Sequence, residues 1–283
     1  MKKDGQLDEL LTSEMPYSQG LVHFIYRHGN YIYKVTKNDF PDFNNKEHFL
    51  IEKKSLKLMS TLGIPIPSEI VVGVKNINRK KIFYLHESFI KGIQYQWENL
   101  SSKALTNLKD IYINVHQAKL NKFGPLNSKL EGSFSNWHDY ISNIVENSNF
   151  LNIKNKKKIH DIVKQFSSYL NEINTAQLVL VDFNPGNIFF NETDDIVGVI
   201  DIDHPIGGDP LYDFASIKWY SPKTYEKLKN NIIKFNPSDE KIIDFYCLIQ
   251  GINVIDWMKE HNLANLNEIT QLSIQQDLVE KIL

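Results

Sequence analysis

Asp182, Asn187 and Asp201 are the residues whose types and spacing best suit chemistry on a phosphate group. Two carboxylates and an amide supply the hard oxygen ligands that Mg²⁺ prefers, and a carboxylate can also orient an attacking hydroxyl. The set therefore suits a magnesium nucleotide and phosphoryl transfer. The plain alternative is a hairpin with a tight turn and incidental acidic ends.

Short β-like runs must position these three side chains. The runs 188–190 and 196–200 are separated by turn residues, so we expect them to pair antiparallel. That pairing places Asn187 and Asp201 together at the open end of the hairpin. An Asn-Pro-Gly bend lies between Asp182 and Asn187, so Asp182 can face the same place from the neighbouring loop.

The N-terminal part predicts a small antiparallel sheet that carries one helix. A helix is expected from about 45 to 62, capped by Asn44 with Glu47 closing a capping box, and stopped by Gly63. β-Branched and aromatic residues predict strands on either side of a turn at 28–30 within 21–35, at 70–74 and at 81–86.

From about residue 101 the periodicity becomes mostly helical, with stretches near 105–119, 134–146 and 156–173. The lobes should meet near 89–92. We therefore predict an α+β fold with an N-terminal nucleotide-binding lobe at 1–90. A larger, mainly helical lobe at 91–283 should carry the catalytic loop and the acceptor site.

Composition favours a globular protein and gives little support to nucleic acid or membrane partners. Of 283 residues, 42% are hydrophobic and 23% charged, and 32 basic against 34 acidic residues give a formal charge of -2. No run of about 18 apolar residues occurs, and the N-terminus has no apolar signal core. Cytoplasmic residence is expected, and Cys247 is expected to be a buried structural thiol.

Residues 182–187 resemble the Asp-x-x-x-x-Asn catalytic loop of the aminoglycoside-phosphotransferase family, and 200–201 with 208–215 resemble its metal segment and downstream signature. The resemblance implies a two-lobed, protein-kinase-like fold and ATP or GTP as phosphate donor. It implies Asp182 as the catalytic residue and Asn187 and Asp201 as Mg²⁺ ligands. It also implies that Asp209 and Asp213 brace the loop.

In the first lobe, Lys34 falls where kinase-like folds keep the lysine that contacts nucleotide phosphates. Helical spacing puts Glu52 on the apolar stripe of the helix, so this charge needs a partner, and Lys34 is the expected one. Glu47 is the alternative. The stripe consists of Phe49, Glu52, Leu56 and Met59.

The run 84–92 resembles the family's hinge, whose backbone at Glu87 and Phe89 would meet the edge of the base. Ser18 and Gly20 precede the first hairpin, where the resemblance implies a loop that covers the nucleotide phosphates. That loop has a single glycine, and a simple turn is the alternative.

The sequence departs from the family at Leu180-Val181, where His-Gly is usual. A nucleotide-binding pseudokinase with a regulatory role therefore stays open beside the kinase readings. An aminoglycoside antibiotic acceptor, and hence a role in resistance, comes first. A sugar, choline-like or amino-alcohol acceptor comes second, and a metal-dependent hydrolase ranks last because no His-rich ligand spacing accompanies the Asp residues.

The acceptor is expected to be small, hydroxylated and cationic. The region 192–213 carries seven carboxylates, one histidine and no Lys or Arg. Most of them are committed to Mg²⁺, to loop bracing or to an exposed turn, so Asp203 is the carboxylate predicted to contact the acceptor. Solvated surface charge is the alternative.

Overall fold

The chain divides into two compact units in a computed structural model that describes residues 15–77, 79–149, 151–182, 184–231 and 235–263. The first unit contains the described residues up to 94 together with 187–203. The second contains 95–186 and the described residues from 204 onwards.

A five-stranded antiparallel sheet forms the centre of the first unit. The strands are β1 (Ser18–Gln19), β2 (His23–His28), β3 (Tyr31–Thr36), β4 (Ile70–Ile77) and β5 (Lys80–Ser88). Their order in the sheet is β1-β2-β3-β5-β4, so β3 and β5 are interior neighbours. The four strands predicted from the sequence are β2 to β5.

Helix α1 (Lys46–Thr61) packs on this sheet, and its N-cap corrects the sequence prediction by one residue. The cap is Asn45, whose side chain accepts from the His48 N–H at 2.8 Å. Glu47 is therefore not at the capping-box position. Asn44 instead binds the backbone of β5, accepting from the Phe83 N–H at 2.9 Å. Gly63, with a φ of 78°, follows the helix end as predicted.

The predicted hairpin is present as β9 (Ile188–Phe190) and β10 (Ile196–Val199), and it belongs to the first unit. Ile93 and Phe190 exchange backbone hydrogen bonds of 2.8 and 2.9 Å, which attach β9 to the segment after β5. This hairpin is therefore grouped with the N-terminal residues. The division into a nucleotide-binding lobe at 1–90 and a helical lobe at 91–283 stays a prediction.

The second unit is mainly helical and also contains a small four-stranded antiparallel sheet of order β6-β8-β11-β7. Its strands are β6 (Lys119–Leu120), β7 (Gly124–Pro125), β8 (Ala176–Val179) and β11 (Ile206–Gly208). Its helices are α2 (Ser102–Val115), α3 (Trp137–Asn147), α4 (Ile153–Gln165), α5 (Ser167–Glu172), α6 (Leu211–Tyr220), α7 (Pro222–Asn231) and α8 (Pro237–Glu260).

Two predicted helix bounds in this unit were wrong. The helix expected to reach residue 119 ends at Val115, because the chain must leave the helix before it begins β6 at Lys119. The helix expected over 156–173 is broken at Phe166, whose ring stacks on Phe245 with centroids 4.4 Å apart.

Buried aromatic residues form much of the core of the second unit. The indole N–H of Trp137 donates to the Tyr246 hydroxyl at 2.7 Å, which satisfies a polar group that would otherwise be buried without a partner. Cys247 on α8 is buried, as expected, and burial raises the pKa of its thiol to about 12. Within the described ranges, no helix has both the length and the apolar character needed to span a membrane.

Candidate active site

Lys34 is the centre of a charged cluster in the first unit. It lies on β3 opposite Leu85 of β5, and its side chain is buried. Its ammonium nitrogen lies 2.9 Å from a Glu52 oxygen, contacts an Asp201 oxygen directly, and lies 3.9 Å from an Asp203 oxygen. One ammonium is thus shared among three carboxylates.

Helix α1 supplies Glu52 in the way its periodicity predicts. Phe49, Leu56 and Met59 are fully buried and share a helix face with Glu52, which is 1% exposed. A charged residue on this stripe needs a buried partner. The structure provides Lys34 in that place, so the predicted Lys34–Glu52 pair is present.

The shared ammonium shapes the protonation of the cluster. Burial alone would lower the pKa of Lys34, but the carboxylates of Asp201, Glu52 and Asp203 raise it well above its ordinary value. Burial raises the pKa of Glu52, and Lys34 opposes this rise. Lys34 is therefore cationic at neutral pH.

The hairpin brings Asn187 and Asp201 to one end, as the strand pairing predicts. Ile188 pairs with Val199, and the Ile200 N–H donates to the Asn187 carbonyl at 2.9 Å. The Asp201 side chain is 41% exposed, so it can reach a ligand as well as Lys34. Asp201 has a φ of 62°, a backbone conformation that non-glycine residues rarely adopt and that is concentrated at functional sites.

Asp182 lies in the second unit, directly after a segment that Asp213 holds by hydrogen bonds. The Asp213 carboxylate accepts from the Leu180 N–H at 3.0 Å and from the Val181 N–H at 2.9 Å. Asp213 is also 2.8 Å from the His116 ring nitrogen Nε2. These contacts fix the backbone that presents the exposed side chain of Asp182.

The backbone of Leu180 and Val181 is thus bound to Asp213, although Leu180 replaces the histidine that is usual in the family. Val181 has a φ of 62°, which a β-branched residue adopts only under constraint. Asp209, the other predicted bracing residue, accepts from the hydroxyls of Tyr169 at 2.7 Å and Tyr246 at 2.8 Å. Both acidic residues of the downstream signature thus anchor loops to the helical core.

The two predicted hinge residues lie at the end of β5. The Phe89 N–H donates to the Asn30 carbonyl at 2.8 Å, so the predicted contact of Phe89 with a base would be made by its carbonyl oxygen. Glu87 is buried, and its Oε2 atom has no hydrogen-bond partner within the described part of the chain. Burial raises the pKa of Glu87 to about 7, with Lys34 opposing the rise and Asp201 adding to it.

Ser18 begins the exposed edge strand β1, and Gly20 directly follows this strand. Ser18 pairs with Ile25, and the Gly20 N–H donates to the His23 carbonyl at 3.0 Å. The Lys37 ammonium donates to the Gly20 carbonyl at 2.7 Å. Hydrogen bonds thus hold the segment that joins β1 to β2, and its role over phosphates stays a prediction.

Asp203, the predicted acceptor contact, lies beside two basic residues of the first unit. Its Oδ2 atom is 3.7 Å from the His48 ring nitrogen and 3.9 Å from Lys34. The acceptor role stays a prediction. Sequence reasoning singled out neither His48 nor its neighbour His23, although His48 precedes Glu52 by one helical turn and so shares its buried stripe.

Comparison with solved structures identifies proteins of similar fold. The chain resembles a thermostable mutant of aminoglycoside phosphotransferase APH(4)-Ia, solved as a ternary complex with AMP-PNP and hygromycin B. Its TM-score is 0.74 at 16% identity, over 100% of this chain and 98% of that one. None of the curated protein sequences matches the chain.

Choline kinases share the same fold. The choline kinase LicA from Streptococcus pneumoniae gives a TM-score of 0.64 at 16% identity, over 99% of this chain and all of that one. A choline/ethanolamine kinase family protein from Mesorhizobium loti gives 0.61 at 12% identity, over 100% and 94% of the two chains. These similarities confirm the predicted kinase-like α+β fold.

The family itself is shown by sequence. The model described as "Phosphotransferase enzyme family" matches residues 17–228, which include Lys34, Asp182, Asn187 and Asp201. The expectation of an enzyme that transfers phosphate is thereby confirmed, and the chain belongs to the phosphotransferase enzyme family.

Proposed function

We propose that this chain transfers the γ-phosphate of a magnesium nucleotide, ATP or GTP, to a hydroxyl of a small cationic molecule. The observation that carries the proposal is the buried Lys34, which bonds Glu52 and reaches Asp201. A lysine held by a helix glutamate, beside an exposed metal-binding carboxylate, is the arrangement that kinases use on nucleotide phosphates.

The four site residues of the first unit have distinct roles in this proposal. Lys34 binds the phosphates, and Glu52 holds the Lys34 ammonium in place from α1. Asn187 and Asp201 suit Mg²⁺, because they are hard oxygen donors fixed at one hairpin end and Asp201 is accessible. Mg²⁺ held by Asn187 and Asp201 would neutralise the charge that develops on the phosphates.

Asp182 orients the acceptor hydroxyl and receives its proton. The side chain is exposed, and the preceding backbone is fixed by Asp213, so a hydroxyl can approach a carboxylate in a defined position. The backbone at Glu87 and Phe89 contacts the base, and the segment at Ser18 and Gly20 covers the phosphates.

An aminoglycoside-type antibiotic is the acceptor we place first. Aminoglycosides carry many hydroxyls and several ammonium groups, and the acidic stretch 192–213, with Asp203 as the predicted contact, would attract such a cation. The similarity to a phosphotransferase bound to hygromycin B adds support. A choline-like amino alcohol is the second candidate, favoured by the similarity to two kinases of choline or ethanolamine.

A turnover screen tests the proposal. The purified chain would be assayed with ATP and with GTP against aminoglycosides, choline, ethanolamine and sugars, following nucleoside diphosphate release that depends on the acceptor. Asp182→Asn should lower turnover by about 10²–10⁴-fold while leaving magnesium-nucleotide binding intact. Asp201→Ala should abolish metal-dependent nucleotide binding measured by calorimetry, because water replaces a carboxylate ligand poorly.

Asp110→Asn is the matched control, since Asp110 is an exposed aspartate on α2. It should leave both turnover and binding unchanged. Transfer by Asp182→Asn at the wild-type rate would refute the catalytic assignment. Unchanged magnesium-nucleotide affinity in Asp201→Ala would place the ion elsewhere.

A further inference from the structure

His23, His48 and Asp203 form a compact cluster in the first unit. Only Asp203 has a task in the proposed function, as the predicted acceptor contact. His23 begins β2, His48 lies in the first turn of α1, and Asp203 follows β10. One ligand atom from each residue lies within 4.8 Å of the other two. Three separate elements thus bring two imidazoles and a carboxylate together.

The cluster lies in an apolar setting. His23 is 5% exposed and His48 is 6% exposed. The Phe49 ring lies 5.7 Å from the His23 ring and 5.2 Å from the His48 ring, and the Phe43 ring lies 5.3 Å from His48. A hydrophobic shell around a few convergent polar ligands is a common feature of metal sites in proteins.

We propose that His23, His48 and Asp203 bind a divalent transition-metal ion, with Zn²⁺ as the best match. Two imidazole nitrogens and one carboxylate are a usual set of three protein ligands for zinc, with the fourth position left to water. Imidazole favours such ions over Mg²⁺, which prefers oxygen. The site is distinct from the predicted Mg²⁺ ligands Asn187 and Asp201.

The distances suit such an ion after side-chain movements. Zinc binds nitrogen and oxygen at about 2.0–2.1 Å, so two ligand atoms of a tetrahedral zinc lie about 3.4 Å apart. The His48 Nε2 and Asp203 Oδ2 atoms, 3.7 Å apart, are already close to this separation. All three ligand atoms lie within 4.8 Å of one another, so the longer separations must close by up to about 1.4 Å.

The two imidazole rings have a compatible separation. Their centroids are 5.3 Å apart, and the rings are stacked with planes that differ by 16°, so at least one ring must turn for both nitrogens to face one ion. Two imidazoles bound through nitrogen to one tetrahedral zinc have centroids about 5 Å apart, given the same bond lengths. The ordinary alternative is a His48–Asp203 ion pair with the His23 ring packed beside it, and that arrangement needs no ion.

A bound ion would link β2, α1 and the segment after β10. Asp203 also lies 3.9 Å from Lys34, so the ion would draw this carboxylate from the Lys34 cluster, and zinc would compete with a cationic acceptor for Asp203. The proposal does not rest on the kinase function, because the three ligands would bind zinc in the absence of nucleotide.

Metal binding by the full-length chain tests the inference. Chelator-treated protein would be titrated with Zn²⁺ in competition with a chromophoric chelator, and with Co²⁺ while visible absorption is recorded. One equivalent should bind, and Zn²⁺ should raise the thermal midpoint because it binds only the folded chain. His23→Gln, His48→Gln and Asp203→Asn should each weaken binding at least about tenfold, since even the loss of an outer-sphere partner costs 10–100-fold.

His28→Gln is the matched control, because His28 lies on the same strand as His23 but is exposed. It should bind Zn²⁺ as the wild type does. No stoichiometric binding by the wild type, or undiminished binding by all three ligand variants, would overturn the proposal. If a variant fails to fold, anomalous diffraction at the zinc edge from wild-type crystals locates the ion. An ion found away from this cluster would also overturn the proposal.

Discussion

Val181 has a φ of 62°, directly before the predicted catalytic Asp182. Its N–H and that of Leu180 bond to the Asp213 carboxylate, which holds the turn against the steric preference of a β-branched side chain. Left-handed non-glycine residues store about 1–3 kcal/mol each. The turn that precedes the catalytic residue is therefore strained.

Val181→Gly should stabilise the protein by about 1 kcal/mol, because the relief of strain exceeds the roughly 0.5–1 kcal/mol of extra unfolded-chain entropy that glycine brings. Urea unfolding measures this change. Val181→Ala is the control, since it keeps a Cβ atom and should gain less. A destabilised glycine variant would show that the turn is not strained.

The raised pKa of Glu87 predicts that the free energy of unfolding depends on pH. Its pKa rises from an ordinary 4.5 to about 7 on folding, chiefly through burial, so the folded state holds the proton more tightly than the unfolded chain. The stabilisation is complete below about pH 4.5 and is lost as the pH rises through 7, by about 3 kcal/mol at most.

Glu87→Gln should therefore gain stability relative to the wild type between pH 5 and pH 8. The free energy of unfolding would be measured for both proteins across this range. The difference between the two curves isolates Glu87, because all other ionisable groups are common to both proteins. Parallel curves would contradict a raised pKa at Glu87.

At the residue scale, the sequence predicted what local pattern and motif order determine. The stripe on α1 placed Glu52 toward Lys34, and the hairpin placed Asn187 beside Asp201. It could not predict that Asp203 lies next to His48, because that contact joins residues far apart in the chain. The sequence also could not predict the positive φ of Val181, because this conformation accompanies the tertiary contact with Asp213.

At the scale of elements, prediction succeeded for the hairpins and for the end of α1, and it failed at other helix ends. Turn residues determine where β2 meets β3 and where β9 meets β10. The break at Phe166 follows no glycine or proline, and it accompanies stacking on Phe245, which only the fold brings near. The N-cap moved from Asn44 to Asn45 because Asn44 bonds to β5.

The Lys34–Glu52 pair joins β3 to α1, and it predicts coupling between two variants. Lys34→Ala and Glu52→Ala should each lower kcat/KM for the nucleotide, and the double variant should lose clearly less than the sum. Lys34→Ala should be the more harmful, because it leaves three carboxylates without their shared ammonium.

Glu47→Ala is the control for this cycle, since it changes a glutamate on the same helix. It should show additive effects with Lys34→Ala. If the effects of Lys34→Ala and Glu52→Ala on kcat/KM were additive while those of Lys34→Ala and Glu47→Ala were coupled, Glu47 would be the partner of Lys34 in catalysis.

At the scale of the whole molecule, the formal charge is only -2, yet acidic residues concentrate in 192–213. For a cationic acceptor, the Michaelis constant should therefore rise with ionic strength, because salt screens its attraction to the acidic stretch. Steady-state assays at several salt concentrations measure this. A neutral polyol acceptor is the control, and phosphorylation of only neutral or anionic acceptors would refute the cationic class.

The buried thiol of Cys247 gives this protein an internal reporter of unfolding. It is the single cysteine of the chain, it lies within α8, and its pKa of about 12 leaves almost no reactive thiolate. A thiol-specific dye therefore reacts only when the helical unit opens. The labelling rate would measure the frequency of that opening without any engineered probe, with and without nucleotide, and a cysteine introduced on the surface of the first unit would report on that unit separately.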